Sequence, residues 1–237
     1  MINLIPTIGK YTGKIKNLIE INEHIRIFQI ELDNIKNFNF IPGQFMLFGI
    51  ENEGKLLKRS FSIANTIKDN YLELCIKKYD DGRVSPFLFK LKKGDKILAD
   101  GPYGKFNYKE TDKDLIFLAA GVGIAPLMSM IRSLMIKNAK NKITLIYGAR
   151  ELNDFCYLKE LEELSDKGKI NFIKILSKPL LDWNGETGHV QDILAKYLKD
   201  FNNEDFYLCG PPKMVVETVI KLKELGIKEE QINKEQW

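Results

Sequence analysis

The segment Arg59-Ser60-Phe61-Ser62-Ile63-Ala64-Asn65 sets a guanidinium, an aromatic ring and two hydroxyls side by side between β-like runs. A solvated edge strand tolerates that mixture, since arginine and serine suit water. The same groups also suit a ligand that offers both a phosphate and a flat ring. Guanidinium matches phosphate, an aromatic packs on an apolar heterocycle, and a hydroxyl both donates and accepts at a ring nitrogen. Further along, Gly121-Val122-Gly123-Ile124-Ala125-Pro126 joins an apolar run to a helical pattern. Glycines there let backbone approach a pyrophosphate, and a helix start offers free N–H groups with a positive dipole end. Pro126 suits a first helical turn. Any tight strand-to-helix turn favours glycine, so the context in a βαβ unit matters more than the motif. Cys209-Gly210-Pro211-Pro212 stands at a second such junction, where a lone cysteine is either a small buried hydrophobe or part of a ligand crevice. Gly82, Val84 and Ser85, in "DGRVSPF", read as a serine helix cap or as a nest of N–H groups able to hold an anion.

The elements that must position these groups fall into two rhythms. Up to about Tyr108, "YTGKIKNLIEI", "IRIFQIEL", "QFMLFGI", "LKRSFSIA", "YLELCIKKY" and "DKILADG" alternate as short strands between Asn, Asp, Gly and Pro clusters. That spacing predicts a closed or nearly closed antiparallel barrel, interrupted by one short helix entered at Ser85. After "KETDKD" apolar runs alternate with helical patterns, strand then helix repeated four times. That is the pattern of a doubly wound parallel sheet. "LIFLAAGVGIAPLMSMI", Leu115 to Ile131, has no charge over 17 positions, short of the roughly 20 residues of a spanning helix. Its internal glycines and proline divide it into strand, turn and helix start, so no membrane span is expected.

The chain has 237 residues, 44% of them hydrophobic and 29% charged, as in soluble globular proteins. Cys75, Cys156 and Cys209 have no metal-ligand spacing, which argues against zinc, iron–sulfur or a disulfide framework and fits a reducing cytoplasm. No metal is expected. The first residues lack a basic region followed by an apolar core, so no secretory signal is expected. The net charge of +4 is uneven: residues 1–108 hold 17 Lys+Arg against 12 Asp+Glu, and the remainder 19 against 20. A basic first half attracts an acidic protein or a phosphorylated cofactor, although ordinary solvated lysines account for most of it. Basic and aromatic residues do not interleave, which argues against nucleic acid.

Taken in order, "RSFS", "GRVS", "GPYG" at Gly101 to Gly104, "GVGIAP", "YGAR" at Tyr147 to Arg150 and "CGPPKM" resemble the ferredoxin–NADP+ reductase superfamily over essentially the whole chain. "DGRVSPFLFKLKKGDKI" and the terminal Trp237 are similar to its bacterial ferredoxin/flavodoxin reductases. The resemblance implies a Greek-key β-barrel binding FAD over residues 1–108, then a Rossmann-like NAD(P)-binding domain over residues 109–237. It implies that Arg59 pairs with the FAD pyrophosphate, Phe61 packs on the flavin and Ser62 hydrogen-bonds the flavin N5 region, with Ser60 and Ile63 in the same cradle. Phe61 replaces the commoner tyrosine and so lacks a phenolic hydrogen bond. Gly82, Val84 and Ser85 would cap the pyrophosphate.

On the nicotinamide side, Gly121, Gly123 and Pro126 would shape the pyrophosphate turn. Cys209 and Gly210 would lie beside the nicotinamide, and Trp237 would stack on the flavin and move aside. Arg150 and Lys178 follow the second and third strands of the parallel sheet, where a 2′-phosphate would be read, and tilt the choice towards NADP(H) over NAD(H). Glu151 and His189, which stands where some relatives carry arginine, leave that choice open. The implied activity is hydride transfer between nicotinamide and flavin N5, with Ser62, Cys209 and Trp237 at the reacting rings. Electrons would be exchanged with a small acidic carrier, ferredoxin or flavodoxin, by a monomeric enzyme. The alternatives are an NAD(P)H:flavin reductase and an electron-transfer component of a larger complex. Components of dihydroorotate dehydrogenase or hydrogenase type usually add a cysteine cluster that this sequence lacks.

Overall fold

The computed structural model describes residues 8–35, 38–52, 55–198 and 203–236. Its packing divides into two compact units, Met1–Asn107 with Met128–Ser133, and Tyr108–Leu127 with Leu134–Trp237. The first is built on six strands: β1 Gly9–Asn22, β2 Ile25–Leu32, β3 Phe45–Asn52, β4 Lys55–Ser62, β5 Leu72–Lys77 and β6 Lys96–Tyr103. They form one antiparallel sheet in the order β4-β3-β6-β1-β2-β5. The sheet curls into a half-barrel, and its outer strands meet through an Ile63–Leu74 bridge and an Ala64 N–H to Glu73 carbonyl bond of 2.9 Å. This is the antiparallel barrel expected from the alternation. Alternate residues, among them Phe28, Ile30, Met46 and Phe48, fill its interior, as a pleat with one buried face requires.

The short helix α1, Ser85–Leu88, is present, but Val84 occupies the cap position and no side chain caps it. Ser85 is instead its first residue, and its hydroxyl accepts the Tyr79 N–H at 3.2 Å. The serine-cap expectation is corrected: Oγ closes the loop before the helix. Beyond β4, Asn65 is buried. Its amide donates to the carbonyls of Thr66 (3.0 Å) and Tyr71 (2.6 Å), and its oxygen accepts the Glu73 N–H (2.8 Å). In the same unit the Ser129 hydroxyl donates to the Asn65 carbonyl at 2.7 Å. Arg132 donates to the Ala64 carbonyl (2.9 Å) and pairs with buried Glu73 (2.7 Å), which also accepts from Gln29 (2.9 Å).

The second unit contains β7 Asp114–Ala120, α2 Ile124–Ile136, β8 Ile143–Ala149, α3 Leu158–Asp166, β9 Asn171–Leu176, β10 Glu186–Thr187, α4 Leu194–Tyr197, β11 Glu204–Gly210, α5 Pro212–Glu224 and β12 Ile232–Gln236; residues Met128–Ser133 of α2 belong to the first unit. The strands are all parallel, in the order β10-β9-β8-β7-β11-β12. β7 and β11 are near-continuous buried runs, as strands covered on both faces must be. The doubly wound sheet expected from the strand–helix rhythm is present. The edge strands β10 and β12 were not expected: one has two residues, and "INKEQ" carries a single apolar side chain. Among the described residues no helix is long and apolar enough to cross a membrane. The uncharged run from Leu115 is β7, a glycine turn and the start of α2.

Candidate functional site

The sheet order places a topological switch point between β7 and β11, because the chain leaves β7 towards β8 and later returns on the other side to form β11. Ligands on open parallel sheets bind in the crevice at the carboxyl ends of the strands at such a point. The carboxyl end of β7 runs into a 3-10 turn, Gly121–Gly123, and then α2. Gly121 has φ +55°, and a methyl added there would meet nothing within 4 Å, so the turn presents open backbone. Gly123 is the reverse case. A methyl on it would lie 2.6 Å from the Cys209 carbonyl carbon and 2.7 Å from Gly210 Cα, and closer still to the Cys209 oxygen. The turn is therefore built directly against the end of β11, and only glycine allows that approach. Two segments 86 residues apart, Gly123 and Cys209, form one wall.

Tyr147, fully buried in β8, braces this turn: its hydroxyl donates to the Gly121 carbonyl (2.9 Å) and accepts the Cys156 N–H (3.2 Å). Pro126 is buried as the third residue of α2. The open glycine backbone at a helix start is the arrangement a pyrophosphate needs, so the fit to a dinucleotide is good. Arg150 and Lys178 are exposed just after β8 and β9, and the Lys178 N–H donates to the Arg150 carbonyl at 2.8 Å. The two cations thus emerge from adjoining strand ends. Glu151 is exposed beside them.

Cys209 is fully buried, and Gly210 beside it is also buried. Burial, and then the neighbouring Glu235, push the Cys209 thiol well above its usual range. The sulfur is therefore a neutral thiol that contributes shape and position. Trp237 lies outside the described residues.

Glu235 was missed by sequence reasoning. It faces Cys209 in the β11–β12 register, its Oε2 is out of solvent with no hydrogen-bond partner among the described residues, and burial pushes its carboxyl up to about 7. Only the pairing of β12 could reveal it. Well below pH 4.5 the group is protonated whether folded or not. Between there and about 7 the unfolded chain ionises while the folded chain keeps its proton, so stability falls as pH rises through that window. Glu235→Gln should flatten this slope and raise stability at pH 8 by about 2–3 kcal/mol. Thermal melts of both proteins across this range test it, and parallel curves would refute it.

In the first unit, Arg59 and Ser60 are exposed on β4, Phe61 and Ser62 are half-buried, and Ile63 is buried. Register sets Arg59 opposite Phe48 and Ser62 opposite Phe45. The Phe61 ring lies 6.1 Å from that of Phe48. Among the described residues the Arg59 guanidinium has no carboxylate partner; it reaches the Lys58 carbonyl at 3.2 Å. Lys58, by contrast, is paired with Asp100. An exposed arginine with no acid partner among the described residues, next to Ser60, suits a pyrophosphate. Gly82 is half-buried and Val84 buried. A methyl on Gly82 would lie 2.8 Å from both the Ser85 hydroxyl and the Tyr79 carbonyl, so that loop too is drawn tight around glycine. These residues fit the phosphate end of a flavin dinucleotide.

Residues 12–108 match the model of the oxidoreductase FAD-binding domain, and residues 117–219 match that of the oxidoreductase NAD-binding domain. A curated relative, one of the subunits of the Na(+)-translocating NADH-quinone reductase of Klebsiella pneumoniae, is 38% identical over 159 residues, covering 64% of this chain and 39% of the relative. The chain thus spans about two fifths of the length of such relatives. Among solved structures, the Amycolatopsis cytochrome P450 reductase GcoB superposes with a TM-score of 0.89 at 23% identity, covering 98% of this chain and 71% of that one. The ferredoxin-NADP+ reductase of Plasmodium falciparum superposes with a TM-score of 0.82 at 25% identity, covering 99% and 100%.

Proposed function

Because the chain belongs to the ferredoxin–NADP+ reductase superfamily, with FAD and a nicotinamide nucleotide as cofactors, we propose that it passes electrons from NADPH to a small one-electron carrier protein. FAD would be held on residues 1–108 and the nucleotide on residues 109–237. The observation that carries this reading is the contact of Gly123 with Cys209 and Gly210. It brings the glycine turn and the end of β11 together as one wall of the switch-point crevice, where a dinucleotide would lie. Bound FAD supplies a hydride acceptor that can return electrons singly, a chemistry no side chain offers.

The protein's part is positioning. Arg59, with Ser60 beside it, would hold the flavin pyrophosphate, and Gly82, Val84 and Ser85 would cap it. Phe61 and Ile63 would offer apolar surface to the ring, and the Ser62 hydroxyl would hydrogen-bond the flavin N5 region. Gly121, Gly123 and Pro126 would shape the turn that receives the nicotinamide pyrophosphate, and Arg150 and Lys178 would meet the 2′-phosphate. Cys209 and Gly210 would lie beside the nicotinamide, and Trp237 would stack on the flavin and move aside to admit it. Anaerobic titration with NADPH and NADH, followed by flavin absorbance, tests the whole reading. Bleaching by NADPH at lower concentration supports it, and a protein that retains no flavin overturns it. Ser62→Ala should slow hydride transfer about 100-fold with FAD content unchanged; equal reduction rates in stopped flow would remove Ser62 from the site.

A second reading has a specific observation behind it. The 38% identity to a protein named as one component of a quinone reductase suits an electron-transfer module that works inside a larger assembly. Efficient turnover of the isolated chain with ferredoxin or flavodoxin favours the first reading, and its absence beside rapid flavin reduction favours the second.

A further inference from the structure

The second unit carries a groove that the redox chemistry does not use. It lies at the amino-terminal edge of the parallel sheet, where α2 turns into β8 and α3 turns into β9, with a cavity volume of about 770 Å³. The strands are parallel, so this edge is opposite the one that carries Gly121, Cys209 and Arg150. Both turns are built alike. After α2, Asn138 takes φ +50° and the Ala139 N–H returns to the Leu134 carbonyl at 3.0 Å; after α3, Gly168 takes φ +64° and the Lys169 N–H returns to the Leu164 carbonyl at 2.9 Å. Asn141 then anchors the first turn by donating to the carbonyls of Thr111 (2.8 Å) and Lys113 (2.6 Å). The walls are therefore fixed by backbone bonds.

The lining includes Lys140, Lys142, Lys167 and Lys169 and no acidic residue. All four are exposed or half-exposed. Of these, Lys167 has an ion pair among the described residues, with Glu163 at 3.8 Å. Leu134, Ile143 and Ile170 close the floor, and half-buried Met135 and Leu164 add apolar surface. Residues 109–237 hold 19 Lys+Arg against 20 Asp+Glu with these four lysines counted, and 15 against 20 without them, so the positive cluster is local.

We propose that the groove is a docking site for an acidic, partly apolar peptide segment of a partner protein. Lysine rims meet carboxylates, and the apolar floor takes alternate side chains of an extended segment. A compact anion such as phosphate fits less well. Among the described residues no helix start supplies N–H groups there. The two helix carboxyl ends that border the groove oppose any anion, so binding needs several lysine contacts spread along an extended segment rather than one compact charge. Occupancy would leave the switch-point crevice open, so a partner could stay attached during turnover. The inference does not depend on the redox reading.

The test uses the full chain and a short fluorescein-labelled peptide alternating Glu and Leu. Saturable anisotropy is expected, with amide shifts in ¹⁵N spectra confined to residues 134–144 and 164–171. Binding should weaken about tenfold in the combined Lys140→Glu, Lys142→Glu, Lys169→Glu variant, since each exposed pair contributes little alone. Raising salt from about 50 to 300 mM should weaken it similarly. The variant's ¹⁵N spectrum should keep its dispersion, which reports that it folds, and nicotinamide-driven flavin reduction should be unchanged. A Gln–Leu peptide binding as tightly as the Glu–Leu peptide would overturn the proposal, as would a Glu–Ser peptide doing so, or shifts located elsewhere. Lysine-dependent binding to phosphatidylglycerol vesicles with no peptide binding would overturn it in favour of an anionic membrane surface.

Discussion

Gly123→Ala should abolish tight nicotinamide binding while leaving the FAD content intact. The added methyl would fall 2.6 Å from the Cys209 carbonyl carbon and 2.7 Å from Gly210 Cα. These are backbone atoms of a buried central strand and cannot swing away as a side-chain tip would. Either the glycine turn lifts off β11 or the end of β11 moves, and both change the crevice that the two segments form together. Overpacking of this kind costs about 1–3 kcal/mol of stability, and loss of the pyrophosphate turn should raise the nucleotide dissociation constant about 100-fold. Difference spectra on titration with an NADP+ series measure it. Gly121→Ala is the comparison: open space surrounds that position, and only its φ of +55° resists a side chain, at about 1 kcal/mol. Similar affinities for wild type and Gly123→Ala would show that the turn does not hold the nucleotide.

The second large effect is expected at Arg132 and Glu73. Their side chains are 19% and 5% exposed, and the pair is 2.7 Å apart. Arg132→Met leaves the Glu73 carboxylate buried with Gln29 as a weaker partner and removes the donor to the Ala64 carbonyl. Breaking one side of such a pair costs about 3–5 kcal/mol, which lowers the melting temperature by on the order of 10 °C in a chain this size. Arg132→Met combined with Glu73→Gln should recover part of the loss, because no uncompensated charge then remains. A double-mutant cycle by thermal melting reads the coupling. Single variants that melt within a degree or two of wild type would show that the pair is solvated and contributes little.

The heptapeptide from Arg59 to Asn65 illustrates how far local reading reaches. Its first residues stay at the surface of β4, where an exposed arginine with no acid partner among the described residues, next to Ser60, suits a phosphate. Its last residues do something the sequence did not announce. Ile63 bridges to Leu74, and Asn65 closes the loop to Glu73 and accepts a bond from Ser129. Ser85 shows the same limit, since a serine before a proline reads as a cap but bonds the Tyr79 N–H instead. Tyr147 lay inside a recognised motif, yet its bracing of Gly121 depends on how β8 meets the turn.

Alternation and apolar periodicity by themselves determined the curled antiparallel sheet and the parallel sheet, because each strand's pattern states which of its faces must leave water. The glycine turn at the end of β7 was legible for a similar reason: its chemistry is local. What only the tertiary structure decided was adjacency. The parallel register that sets Glu235 beside Cys209, the close approach of Gly123 to β11 and the lysine groove between two helix ends all join residues far apart in the chain. Such contacts arise from strand order and packing, and no window of neighbouring residues encodes them.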